Sequence, residues 1–151
     1  KKGSEAKKFF IIIDDFQEID SATLNYLKSL ANFTTDEGFF PFSLILFAHP
    51  LIHEKLKLPI FGSFEQKIKR HFQLSPFNLG ETREYIYFRL LYSGARGKPF
   101  FTEGAIKLIY RFSGGNPRLI NNICDASLLI GSRKKQGKIE EDVVAEAVQS
   151  L

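Results

Sequence analysis

Five large apolar residues, Phe9-Phe10-Ile11-Ile12-Ile13, run without interruption into Asp14-Asp15. A short run this dense in aromatic and β-branched side chains predicts a strand buried on both faces, as in a parallel sheet flanked by helices. A second such run, Phe42–Phe47, is ended by His49-Pro50, since proline cannot continue a central strand. Between the two, Ser21 is placed to cap a helix whose apolar face is Leu24, Leu27, Leu30 and Ala31. Thr34 to Gly38 predict a turn. Short helices over about 51–56 and 64–70 follow, then a short strand over 71–74.

The pattern changes near Pro76-Phe77-Asn78-Leu79-Gly80, and beyond it only helical spacing appears. Residues 81–93 carry Tyr85, Ile86, Phe88, Leu90 and Leu91. Thr102 caps a helix with Ala105, Leu108 and Ile109 inward, ended by Gly114-Gly115. Asn116-Pro117 opens the next, because Asn is a favoured cap and the missing N–H of proline is harmless at the first helical position. A basic turn, Arg133-Lys134-Lys135-Gln136-Gly137, precedes a last helix near 140–151. The expected fold class is α/β followed by all-α: a partial parallel-sheet core over 1–79 and a small helical bundle over 80–151.

Composition narrows the function classes. The 151 residues suffice for one domain or two small ones. The formal charge of +4 permits contact with nucleic acid or an anionic membrane without demanding it. Cys124 is the single cysteine, which excludes an internal disulfide and fits a reducing compartment. It falls among Ile120, Ile123 and Leu128, as expected of an inert core thiol. No apolar run reaches the roughly 18 residues of a membrane span. Met is absent even at position 1, as expected where the first residue is not a natural start.

The candidate chemistry begins at the acidic pair. Carboxylates at the carboxyl end of a parallel strand sit where open α/β sheets bind ligands. This is the pattern of a Walker B strand, in which the first acid holds hydrated Mg2+ and the second polarises the water that attacks a nucleotide. A core strand followed by an acidic turn or helix cap accounts for the same seven residues.

The order of motifs favours the first reading, with a helix-capping acid still open to Asp14 and a solvated turn acid to Asp15. Ile13-Asp14-Asp15-Phe16-Gln17, then Ala48-His49-Pro50-Leu51, then Gln66-Lys67-Ile68 with Leu74-Ser75-Pro76-Phe77 stand in sequence. Glu81-Thr82, Tyr85-Ile86, Arg89-Leu90 and Gly94 follow, and then the most specific run, Gly115-Asn116-Pro117-Arg118-Leu119-Ile120-Asn121 with Cys124-Asp125. Over nearly the whole chain this resembles the AAA+ ATPases, and within them the ExeA/GspA-like ATPases of type II secretion. The resemblance implies a partial P-loop NTPase core with a helical lid. It implies ATP and Mg2+ as cofactors, with Asp14 on the metal, Asp14 and Asp15 catalytic, His49 as sensor 1 and Arg118 as sensor 2. Lys67 and Arg70, one helical turn apart, stand where an arginine finger is expected. A structural ion pair is the other role open to Arg118, a solvated basic face to Lys67 and Arg70, and a satisfied structural imidazole to His49.

Departures from the family pattern qualify the activity. Asp15 replaces Glu, shortening the reach of the general base by one methylene; misplacement near 1 Å costs about 100-fold in rate, so a slow enzyme is implied. Lys67 replaces Arg and lacks the planar fork. The chain holds no Gly-x-x-x-x-Gly-Lys-Ser/Thr loop, and without its amides and lysine the phosphates are not cradled. The resemblance therefore implies the carboxyl-terminal part of an ATPase domain, inactive as these 151 residues alone. Its expected role is coupling ATP hydrolysis to assembly of the secretion machinery, as a homo-oligomer or with secretion-system partners, in the cytoplasm at the inner face of a bacterial inner membrane. A DNA-linked transposition helper and a non-hydrolysing interaction module are the alternatives; nucleic acid is permitted but not favoured.

Overall fold

In the computed structural model, residues 9–33, 42–95 and 100–151 are described, and the turn expected over Thr34–Gly38 lies outside them. The chain divides after Gln73 into two compact units, Lys1–Gln73 and Leu74–Leu151. The sequence pattern changes six residues later, at 79/80. Residues up to Asn78 already serve the helices, since the Phe77 N–H donates to the Gly115 carbonyl at 2.9 Å and Asn78 caps the first of them.

In the first unit, strand β1 (Phe9–Ile13) pairs in parallel with β2 (Phe42–Leu46), with Phe9 opposite Phe42 and Ile13 opposite Leu46. Helix α1 (Ser21–Leu30) lies between them in sequence. Its cap is Asp20, one residue before the expected Ser21; the Asp20 carboxylate accepts the Thr23 N–H at 2.7 Å, and that bond holds its pKa below the usual carboxylate value. Ile13, Leu44 and Leu46 pack on a core of Phe16, Leu24, Leu27, Ile52, Leu56, Phe61 and Phe64. The sequence predicts burial on both faces of the strands; among the described residues only one face is covered. Side chains alternate along a strand, and Phe10 and Ile12, on the other face, are 63% and 62% exposed.

Helix α2 (Ile52–Leu56) forms as expected, followed by a 3-10 turn (Pro59–Phe61) and the single-turn α3 (Gly62–Glu65). The helix expected over 64–70 is therefore wrong. After Glu65 the chain tightens into bonds from Lys67 to Phe64 and from Ile68 to Glu65, which turn Ile68 into the core and end the helix. The strand expected over 71–74 is absent: Phe72 and Leu74 are exposed and no described strand pairs with them.

Among the described residues, the second unit has four helices: α4 (Leu79–Tyr92), α5 (Glu103–Ser113), α6 (Pro117–Arg133) and α7 (Glu141–Gln149). Helix α4 starts two residues before the expected Glu81, because Asn78 and Glu81 form a reciprocal capping box. Thr102 and Asn116 cap α5 and α6 as the sequence predicts. Ile86, Ile106, Ile109, Ile120, Ile123, Val143 and Val144 form one closed core. Phe101 and Ile139, buried and bridged as a parallel pair, pin the chain entering α5 to the chain entering α7.

Candidate functional site

The acidic pair is set by how the sheet ladder ends. The Phe47 N–H donates to the Ile13 carbonyl at 2.8 Å, and the Phe16 N–H donates to the Phe47 carbonyl at 2.9 Å. The two bonds leave Asp14 and Asp15 looped out between them at the carboxyl end of β1, beside the end of β2. Asp15 takes up the left-handed backbone, φ 51° and ψ 39°, which Asp tolerates better than most residues. Phe16 anchors the loop from below, buried and stacked on Phe64 with ring centroids 5.6 Å apart.

Both carboxylates are exposed. Asp14 Oδ1 accepts the Asp15 N–H at 2.9 Å, and Asp15 Oδ1 accepts from Gln17 Nε2 at 3.0 Å. On the β2 side, the His49 N–H donates to Gln17 Oε1 at 3.0 Å. His49 Nδ1 accepts the Leu51 N–H at 3.3 Å, so in the neutral ring the proton sits on Nε2, which is the donor left for a ligand. The sheet thus brings Asp14, Asp15 and His49 to one edge of the first unit.

Sequence reasoning assigned no role to two residues of this edge. Gln17 bridges the two strand ends. Lys55, from α2, donates to the carbonyls of Gln17 and Ile19 at 2.6 and 2.7 Å and lies 5.9 Å from the Phe61 ring centroid. Gln17 was visible only as the last letter of a motif. Lys55 offers no local signal at all, since its partners stand more than 30 residues away.

Among the described residues, no group of three or more His, Cys, Asp and Glu side chains is placed to hold a metal ion alone. A lone exposed carboxylate such as Asp14 fits Mg2+ held jointly with nucleotide phosphates, because that ion keeps several waters and takes one or two protein carboxylates.

The finger candidates do not share a helix. Lys67 lies past the end of α3, its Nζ bonded to Asn32 Oδ1, and Arg70 lies in irregular chain, so the helical turn expected to relate them is absent. Arg118, in the second unit, stands in the first turn of α6, its N–H held by Asn116 Oδ1 at 2.9 Å. Its side chain is exposed and pairs with no acid of its own unit among the described residues. A cleft of about 130 Å3 between α4 and α6, lined by Tyr85, Arg89, Asn121 and Cys124, is well below the roughly 300–1,000 Å3 of ordinary ligand pockets.

No protein-family model matches the sequence. The chain is 32% identical over 133 residues to general secretion pathway protein A of Aeromonas hydrophila, covering 88% of this chain and 24% of that protein. It is 30% identical over 152 residues to an uncharacterized HTH-type transcriptional regulator of Methanocaldococcus jannaschii, covering 98% of this chain and 36% of that one. The chain thus spans about a quarter to a third of the length of these relatives. Among solved structures, the RuvB Holliday junction branch migration motor of Thermotoga maritima aligns with a TM-score of 0.74 at 17% identity, over 94% of this chain and 44% of that one. A point mutant of the same motor aligns with the same TM-score of 0.74 at 18% identity. The fold is therefore that of an AAA+ P-loop NTPase, represented by part of its parallel sheet and by its helical bundle, and in sequence the chain is similar to a stretch of general secretion pathway protein A.

Proposed function

We propose that this chain is the part of an ATPase domain that completes the surroundings of a Mg2+-bound nucleotide, and that the parent protein couples ATP hydrolysis to assembly of the type II secretion machinery. Asp14 holds the hydrated metal and Asp15 polarises the attacking water. His49 Nε2 and Arg118 contact phosphate, and Lys67 or Arg70 reaches the nucleotide of a neighbouring subunit in a homo-oligomer. The phosphate-cradling loop comes from outside these residues. When bound, the metal neutralises charge developing on the transferred phosphoryl group.

The observation that carries this reading is the loop held between two ladder bonds, which presents both carboxylates at the carboxyl end of a parallel strand beside the end of its neighbour. The relative named for general secretion supports the biological role. In the complete polypeptide, Asp14→Asn should abolish Mg2+-dependent turnover while leaving nucleotide affinity within a few-fold. Arg118→Ala should weaken triphosphate affinity roughly 10- to 100-fold, the equivalent of a charge-assisted bond of about 1.5–3 kcal/mol. Full turnover in Asp14→Asn would refute the ATPase reading.

A DNA-linked role is the second reading, favoured by the relative named as a transcriptional regulator and by the fold shared with a Holliday junction motor. Binding to duplex DNA that weakens steeply with salt in a gel shift would replace the secretion role with this one.

A further inference from the structure

Gln17 makes three hydrogen bonds, two with its side-chain amide and one with its backbone. Nε2 donates to Asp15 Oδ1 at 3.0 Å, Oε1 accepts the His49 N–H at 3.0 Å, and the backbone carbonyl accepts from Lys55 Nζ at 2.6 Å. The direction of the amide is determined twice over. An ionised carboxylate only accepts and a backbone N–H only donates, so the flipped amide would lose both bonds. The Lys55 bond, with its companion to the Ile19 carbonyl, fixes the backbone from which the amide projects. Gln17 is half-buried, whereas Asp15 and His49 are exposed. Among the described residues, Gln17 is the side chain that bonds the Asp15 carboxylate and restrains its direction.

We infer that Gln17 is a positioning residue that ties the orientation of the Asp15 carboxylate to the end of β2, so that a shift of the His49 backbone re-aims the carboxylate. This rests on the roles given to Asp15 and His49 under the proposed function. Those roles make the tie consequential: a ligand contact at His49 would be transmitted to the carboxylate through one rigid amide. Misplacing a reacting group by about 1 Å costs near 100-fold in rate.

The test uses the complete ATPase, with turnover, KM for ATP and amide hydrogen exchange read together. Gln17→Leu removes both side-chain bonds. It should lower kcat about 10- to 100-fold, leave KM within about two-fold, and speed exchange of the His49 amide. Gln17→Glu keeps the acceptor for that amide but replaces the donor with a second negative charge beside Asp15. It should restore protection of His49 without restoring kcat, a split that a merely structural role would not produce. In an Asp15→Asn background, Gln17→Leu should add no further loss, since the two residues act as a unit. Wild-type kcat in Gln17→Leu, alongside lost turnover in Asp15→Asn, would overturn the inference and leave the proposed function standing. Wild-type turnover in Asp15→Asn would overturn both. If Gln17→Leu fails to fold, the split in Gln17→Glu decides alone: recovered kcat refutes the tie to Asp15.

Discussion

A Cβ at position 115 would stand 1.9 Å from the Phe77 carbonyl oxygen, on a backbone with φ +78°. The Phe77 N–H meanwhile donates to the Gly115 carbonyl, so neither strand of chain can retreat without losing that bond. Glycine before Asn116-Pro117 therefore has a physical reason independent of any ligand. Left-handed strain costs about 1–3 kcal/mol for a residue with a side chain, and the clash with backbone atoms adds to it. Gly115→Ala should lower the melting temperature of the helical unit by roughly 4–24 °C from strain alone, taking about 4–8 °C per kcal/mol for a unit of this size. A scan showing no loss would mean that the Phe77 segment moves freely. Asp15 is the other informative backbone. Asp and Asn both tolerate its left-handed conformation, so Asp15→Asn should keep the fold while removing the charge; Asp15→Val should lose stability as well, because a β-branched side chain is strained there.

At the scale of elements, α6 links the most specific motif to the core. Its first turn carries Arg118 outward, and Ile120 and Ile123 go inward. One turn further, burial and the neighbouring Asp125 push the Cys124 thiol up from an ordinary 9.0 to about 12. The folded unit holds this proton more tightly than the unfolded chain, so the neutral thiol supports the fold in full below pH 9. That contribution declines as pH rises from about 9 towards 12. Alkaline melting curves should show a steeper decline for the native chain than for Cys124→Ala over that window; parallel curves would place the thiol in water. At neutral pH the protonated thiol should alkylate slowly, since only the thiolate reacts.

At the scale of the molecule, the two units differ in how completely they close. The core of the second unit is drawn entirely from its own helices and the Phe101–Ile139 bridge. Among the described residues, the sheet of the first unit packs one face on a core and leaves Phe10 and Ile12 of the other exposed. Residues 74–151 expressed alone should therefore melt cooperatively with native helix content. Residues 1–73 alone should bind a hydrophobic dye and aggregate, since exposed apolar patches of this kind associate. A non-cooperative melt of 74–151 would show that its core depends on the first unit.

What the sequence determined by itself was local. Asn116-Pro117, Thr102 and Gly114 announce helix ends because capping satisfies orphan backbone groups within a few residues. The apolar runs announce both strands for the same short-range reason, and the motif order announced the AAA+ fold. The helix expected over 64–70 and the strand expected over 71–74 failed because local pattern was overruled: Ile68 was needed in a core with Phe61 and Phe64, and nothing described pairs with 71–74. The acidic pair was legible, but its posture was not. The left-handed turn at Asp15, the Gln17 bridge to His49 and the Lys55 clamp join residues 32 to 38 positions apart, wherever they do not lie in the turn itself. Only the parallel pairing of β1 with β2 and the packing of α2 beneath it bring those groups within hydrogen-bonding distance. Tertiary structure decided them because a hydrogen bond depends on separation in space, and separation along the chain does not encode it.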